Sequence, residues 1–212
     1  MSIAAILLAA GRSRRMGAFK PLLPFGDATV AERCVRYLLE GGADKVVVVT
    51  GHRGEEVRSA LSHLPVKSAV NPETESEMGV SIALGVEELS GDAAAILVAL
   101  VDQPAIPPEV PRALIREWQR SGAGLLVPEH AGRGGHPVLI DASLRAELLS
   151  LDEQGGLRAL FDRYRGQVTR VPVESPYIAR DMDTWDDYRA LFKEVFGIEP
   201  PAADRQDESE AS

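Results

Sequence analysis

Two stretches of this chain carry side chains suited to work on a polyanion. Residues 7–24, LLAAGRSRRMGAFKPLLP, set Arg12, Arg14, Arg15 and Lys20 in a loop hinged by Gly11 and Gly17, between two apolar runs. Four cations in one loop call for a phosphate-rich ligand. Farther on, the apolar run AAAILVALV ends in Asp102, followed by Gln103 and Pro104. Alone, an Asp before Gln-Pro also suits an ordinary turn. At the end of a buried strand and beside a basic loop it suits Mg²⁺ instead, a hard ion that takes one or two carboxylates plus substrate phosphates. A third stretch, RDMDTWDDY, supplies Asp181, Asp183, Asp186 and Asp187. Acidic residues ahead of a helix cap it and oppose its dipole. That reading fits Asp186 and Asp187, with Thr184 or Asp183 as the cap.

These residues need elements that bring them together. Ile3 to Ala9 leaves no room for surface charge, so it reads as a strand buried on both faces, as in the middle of a parallel sheet. Ligands of open α/β sheets bind outside the carboxyl ends of the strands, where backbone N–H groups and helix N-termini face an anion. The loop after the strand lacks the Gly-Lys-Ser/Thr of a Walker A motif and the G-x-G-x-x-G of a dinucleotide site. A P-loop kinase and a dinucleotide oxidoreductase are both disfavoured.

Periodicity predicts helix 30–40, strand 45–50, helix 55–61, strand 68–70, helix 80–89 and strand 94–101. The second half is less regular: helix 109–121, strands 124–127 and 137–140, helices 144–149 and 157–164, strand 169–173 and a closing helix 186–196. Alternation of this kind, with right-handed crossovers, predicts an α/β chain with a mostly parallel central sheet and helices on both faces, α/β/α. One domain over residues 1–198 is expected. Residues 199–212, EPPAADRQDESEAS, are expected to form a disordered acidic tail.

With 212 residues, 45% of them hydrophobic, the chain has enough apolar sequence for a full core. A net charge of −9 disfavours nucleic acid and anionic membranes as partners, so the basic loop matters for being local. The early apolar stretch is too short for a membrane span and is broken by Gly-Arg-Ser-Arg-Arg, which predicts a cytoplasmic protein. Cys34 lies four residues from Val30 and from Leu38 and reads as a packed core thiol. His63 and His130 show no metal-ligand spacing, and His52 reads as a loop residue.

The pattern L-A-A-G-x-S-x-R-M-G-x-x-K-x-L-L-P over residues 8–24 resembles the loop of nucleotidyltransferases that activate sugars and cofactors. Within that superfamily it is most similar to the molybdenum cofactor cytidylyltransferases and their MobA-like relatives, over roughly residues 3–190. Asp102-Gln103-Pro104 resembles the D-Q-P of the cytidylyl members. Asn71-Pro72 with Met78, Ser81 and Gly85 resembles the N-P…G-M-x-x-S-x-x-x-G stretch beside the base and ribose, with Glu77 in place of a glycine. Gly134 to Val138 resembles R-x-G-H-P-V, where the acceptor is expected, although His136 beside two glycines also suits a structural turn. Asp183 matches the last acidic position before Thr in D-I-D-T-x-x-D, with Met182 and Trp185 where Ile and Pro are usual.

The resemblance implies a Rossmann-like nucleotidyltransferase fold. It implies transfer of CMP from CTP to the terminal phosphate of molybdopterin with loss of pyrophosphate, and Mg²⁺ as cofactor. It implies Arg15, Lys20 and Asp102 in catalysis, and Leu8, Ala9, Ala10, Gly11, Arg12, Ser13, Lys20, Asn71, Ser81 and Gln103 around the nucleotide. Gly135, His136, Pro137 and Asp183 fall to the acceptor, and Asp102 and Asp183 to the metal. Ala10, where guanylyl relatives carry Gly, and Gln103 favour cytosine over a purine. A molybdoenzyme or its chaperone is the implied recipient, while oligomeric state stays open. Two alternatives remain: a guanylyl or other nucleotidyl transfer to a sugar phosphate or another phosphorylated metabolite, and a non-catalytic nucleotide- or cofactor-binding protein.

Overall fold

The computed structural model describes residues 1–11, 16–73, 78–89, 91–151 and 156–201. In chain order the strands and helices are β1 (Ser2–Ala9), β2 (Pro24–Phe25), β3 (Ala28–Thr29), α1 (Val30–Glu40), β4 (Lys45–Thr50), α2 (Gly54–Ala60), β5 (Val66–Val70), α3 (Met78–Glu88), β6 (Ala93–Leu100), α4 (Glu109–Ser121), β7 (Leu125–His130), β8 (Arg133–Gly134), β9 (Val138–Asp141), α5 (Arg145–Leu149), α6 (Gly156–Arg163), β10 (Val168–Pro172) and α7 (Trp185–Phe196).

The main sheet runs β10-β7-β9-β6-β1-β4-β5, with β8 hydrogen-bonded to β7. β1 pairs in parallel with β6 and β4, β4 with β5, and β10 with β7. β9 is antiparallel to both its neighbours, and β8 to β7. The sheet is thus mixed and mostly parallel. Among the described residues no helix is long and apolar enough to cross a membrane.

Period-two alternation along β1 divides the core. Ala5, Leu7 and Ala9 join one apolar cluster with residues of α1, α2, α4 and α7, while Ala4, Ile6 and Leu8 join another with residues of α3, α5 and α6. The sheet is therefore the middle of three layers. Helix α3 comes close to it because residue 85 is glycine: a Cβ there would lie 2.7 Å from Cγ2 of Ile6 and 3.0 Å from Cγ2 of Val49. Cys34, on the buried face of α1, is fully buried, and burial pushes its thiol pKa well up.

Sequence periodicity located the helices and the long strands. It missed the hairpin β2–β3, whose two-residue strands carry no pattern. Phe25 on that hairpin packs edge-on against Phe192 and Phe196 of α7, with ring centroids 5.8 and 5.0 Å away. Helix α7 starts in a capping box: Asp187 N–H donates to Thr184 Oγ1 at 3.1 Å, and Thr184 N–H donates to Asp187 Oδ2 at 2.8 Å. Thr184, not Asp183, is the cap, which leaves Asp183 for other work. Glu199, assigned by sequence to the tail, is held on α7 by Arg189 at 3.2 Å and Lys193 at 2.9 Å.

Candidate functional site

Parallel strands finish at one edge, so the loops after β1, β4, β5 and β6 open side by side. The antiparallel β9 begins at that edge, which brings in His136 just before it. The segment 181–183, after β10, returns to it as well. Met182 N–H donates to the carbonyl of Asp102 at 3.0 Å, and Gln103 Nε2 donates to Asp181 Oδ1 at 2.7 Å. Two contacts thus fasten the acidic segment to the end of β6. Gln103 is buried, and its Oε1 has no hydrogen-bond partner among the described residues.

The fastened segment places Asp183 beside Lys20. The Lys20 ammonium, buried at the start of a short 3-10 turn over Lys20–Leu22, donates to Asp183 Oδ1 at 2.8 Å and lies 4.0 Å from Asp102 Oδ2. The cation and two carboxylates that sequence placed 163 and 82 residues apart therefore meet at one point. Burial, then the charges of Asp181 and Asp183, pushes the Asp102 carboxyl up to about 6, with Lys20 pulling the other way. Asp102 Oδ1 is buried and has no hydrogen-bond partner among the described residues.

A buried, orphaned carboxylate oxygen in a carboxylate pair is the donor a hard cation needs, and Lys20 stands where positive charge is required. Among the described residues no group of three or more His, Cys, Asp or Glu is poised to hold a metal. Asp102 and Asp183 would supply two ligands, with phosphate oxygens and water completing the shell, as Mg²⁺ usually binds. The residues present fit the ion.

One cavity adjoins this cluster, and a second shares a wall residue with the first. The smaller, about 270 Å³, is lined by Leu8, Ala10, Gly11, Lys20, Asn71, Glu73, Met78, Ser81, Leu100, Val101 and Asp102. At its wall Asn71 Nδ2 donates to Ser81 Oγ at 2.9 Å, and Glu73 N–H donates to Asn71 Oδ1 at 2.9 Å. Sequence had paired Asn71 with Ser81 only by resemblance. Alternation turns Ala9 away into the core on the other face, so Ala9 does not line the cavity although Leu8 and Ala10 do.

The larger cavity, about 510 Å³, is lined by Met78, Val127, Gly134, Gly135, His136, Val138, Gly156, Leu157, Arg158 and Phe161. Met78 borders both. Gly135 is held against the backbone of the 3-10 turn Pro176–Ala179: a Cβ there would lie 1.9 Å from the Ile178 carbonyl oxygen, to which His136 N–H donates at 2.8 Å. His136 Nδ1 lies 3.3 Å from the Val98 carbonyl, and burial lowers its pKa, so the ring is neutral near pH 7. Pro137 is buried behind the cavity wall and is not among its lining residues. His52 is exposed, as its loop reading implied. Arg12, Ser13, Arg14, Arg15 and Glu77 lie outside the described residues. Sequence reasoning missed Leu157, Arg158 and Phe161 of α6, because an amphipathic helix carries no sign of which cavity its end will meet.

Comparison with known proteins places the chain in a family. The chain is similar to nicotine blue oxidoreductase of Paenarthrobacter nicotinovorans, 34% identical over 89% of this chain and 96% of that one. It is 24% identical to the molybdenum cofactor cytidylyltransferase of Escherichia coli K12, over 88% of this chain and 94% of that one. Crystal structures of Rv0371c from Mycobacterium tuberculosis H37Rv superpose with TM-scores of 0.81 and 0.78 at 29% and 28% identity. They match 91% and 92% of this chain and 98% and 100% of theirs, and the second is a complex with manganese. Residues 5–168, from within β1 to the start of β10, match the model of the MobA-like NTP transferase domain, and the chain belongs to that family of nucleotidyltransferases.

Proposed function

We propose that this protein transfers CMP from CTP to the terminal phosphate of molybdopterin, forming a cytosine dinucleotide and pyrophosphate. The observation that carries the reading is the meeting of Lys20, Asp102 and Asp183 at the carboxyl edge, with Asp102 Oδ1 buried and unsatisfied. In the reaction an acceptor phosphate oxygen attacks the α-phosphorus, a new P–O bond forms, and the bond to the leaving pyrophosphate breaks. A phosphate monoester is already ionised near neutral pH, so no general base is needed. The protein's part is to align two anions and offset their charge.

Lys20 would bind the phosphates and the leaving group, with Arg15, Arg12 and Ser13 of the preceding loop and the backbone around Gly11. Asp102 and Asp183 would hold Mg²⁺, which when bound offsets charge on the phosphates. The manganese complex of a structural relative supports a divalent ion in this family. The smaller cavity, walled by Leu8, Ala10, Asn71 and Ser81, would take the nucleoside, and Gln103 acts behind it by fixing Asp181. Ala10 puts a methyl group where a purine would need space.

The larger cavity, with Gly135 and His136 on its wall, would take the acceptor. Val127, Val138, Leu157 and Phe161 make that wall mainly apolar, which suits a flat heterocycle better than a sugar whose hydroxyls would lose hydrogen bonds there. With Nδ1 donating to the Val98 carbonyl, His136 keeps an Nε2 lone pair for a donor on the acceptor. Transfer to a sugar phosphate would use the same cluster. The relative named as an oxidoreductase supplies a second reading, a redox activity. One experiment separates them: incubate the protein with Mg²⁺, CTP or GTP, and molybdopterin, a hexose 1-phosphate, or a reduced nicotinamide dinucleotide together with an oxidised dye as two-electron acceptor, and weigh the products. A CMP adduct of molybdopterin plus pyrophosphate is expected. A sugar adduct, or oxidation of the dinucleotide without pyrophosphate, would overturn the proposal.

A further inference from the structure

The loop after β4, Gly51-His52-Arg53, lies against the end of β1, where a Cβ on Gly51 would be 2.8 Å from the Ala10 carbonyl oxygen, and one of its residues has an unusual backbone. Arg53 adopts φ 60° and ψ 27°, the left-handed region that non-glycine residues seldom occupy, and it does so as the residue that caps α2. Its backbone is fixed on both sides: Gly51 and Arg53 form an isolated bridge, and the Arg53 carbonyl accepts from Glu56 N–H at 3.1 Å. Such a conformation persists only where surrounding structure enforces it.

The side chain explains what the turn achieves. Arg53 Nε donates to Glu56 Oε1 at 2.5 Å and Nη2 to Oε2 at 2.6 Å, a two-pronged grip that fixes the guanidinium plane. That plane lies over the ring of Phe19, with Cζ 4.8 Å from the ring centroid. Phe19 is buried, and it is the residue immediately before Lys20; its carbonyl accepts from Leu22 N–H at 3.1 Å to begin the turn that carries Lys20. An unbroken set of contacts runs from α2 to the ammonium that meets Asp183 and Asp102.

We propose that Glu56 and Arg53 are positioning residues for Lys20, acting through Phe19. Arg53 clamps the Phe19 ring, the ring anchors the first residue of the turn, and the turn aims the ammonium at the carboxylate pair. The relay is a matter of geometry; its importance for turnover rests on the reading of Lys20 as the phosphate-binding cation. Neither residue touches the nucleotide in this account.

The test reads Lys20 directly. Brief acetylation of the full chain with an amine-reactive ester, followed by mass spectrometry, gives a labelling rate for Lys20 against the chain's other lysines, Lys45, Lys67 and Lys193. Arg53→Ala is expected to raise the Lys20 rate about two- to fivefold, the loss of one cation–ring contact, and to leave the other three unchanged. Glu56→Gln should give a smaller rise, and Arg53→Lys, which keeps a cation for the ring, should largely restore the native rate. An unchanged or slower Lys20 rate, or a rise shared by all four lysines, would overturn the relay.

Affinity for Mg·CTP, measured by calorimetry for the native chain, Arg53→Ala, Lys20→Ala and the double variant, completes the test. Arg53→Ala should weaken binding in the native background and add nothing once Lys20 is gone. Fully additive losses would make Arg53 a phosphate ligand in its own right and contradict the relay. If the native chain binds no nucleotide, the proposed function fails, and the labelling rates still decide the relay.

Discussion

Asp102 is a carboxylate kept where burial and two like charges oppose its ionisation. Its pKa of about 6 lies above the ordinary value of 3.8, so between those limits the folded chain holds a proton that the unfolded chain has released. Stability therefore falls as pH rises through this window, by at most about 3 kcal/mol for the whole shift. Asp102→Asn removes that cost. The variant should melt higher than the native protein at pH 8 in the absence of metal, with the gain gone at pH 3.5, as paired calorimetric scans would show. It should lose turnover by roughly 10²–10³-fold or more, the usual effect of deleting one preorganised group at a charged transition state. The same ionisation predicts that turnover of the native protein at subsaturating Mg²⁺ declines as pH drops below about 6, where the ion must displace a proton from Asp102 to bind. Lys20→Ala should cost turnover on a similar order, about 10²–10³-fold, and a pH–rate profile of the residual activity would show whether the limb near 6 survives without the lysine. A stability gain in Asp102→Asn together with native turnover would dismiss the metal role.

Segments far apart in sequence are locked together by a few polar contacts, and these give the next set of expectations. Gln103 and the backbone of Asp102 tie the 181–183 segment to the end of β6. A hydrogen bond to a charged group is worth about 1.5–3 kcal/mol and less where the charge is exposed, as Asp181 is, so Gln103→Met should lower denaturant stability by about 1–2 kcal/mol. It should also weaken Mn²⁺ binding, followed by electron paramagnetic resonance, because Asp183 is then held less firmly. Unaltered Mn²⁺ affinity would show that Asp183 is placed by other means. Gly135 has no room for a side chain against Ile178. Gly135→Ala should force the wall of the larger cavity open, lower the melting temperature and weaken acceptor binding while Mg·CTP affinity holds, a contrast that calorimetry with each ligand would reveal. Loss of CTP affinity instead would mean that the two cavities do not divide the substrates between them.

For the molecule as a whole, the sheet edge was legible because its strongest signals are local. The uncharged run of β1 and the valines of β4 announce strands buried on both faces, and strands of that kind point to a ligand at their carboxyl ends. Asp102 and Lys20 could be read from that rule, whereas Asp183 came from resemblance, since its neighbours Asp186 and Asp187 look alike in composition. The direction of β9 could not be read: Val138–Asp141 is a short apolar run that suits either orientation, and only its hydrogen bonds to β6 and β7 fix it. Nor could sequence show that Asp181 comes back to meet Gln103. Arg53 was passed over for the same reason, although a residue other than glycine in a tight turn between strand and helix was a visible oddity. A ligand that bridges these elements should stiffen them together. Mg·CTP at one hundred times its dissociation constant is expected to add about 2.7 kcal/mol of stability, seen as a concentration-dependent rise in melting temperature that Lys20→Ala reduces.

The most direct test of the central claim is pyrophosphate release by the native protein with Mg²⁺, CTP and molybdopterin, run beside GTP and beside Asp102→Asn and Lys20→Ala. Release is expected to need all three components, to favour CTP over GTP and to fall by about 10²-fold or more in both variants. Nucleotide binding without pyrophosphate release from either nucleotide, or release that Asp102→Asn leaves intact, would contradict it.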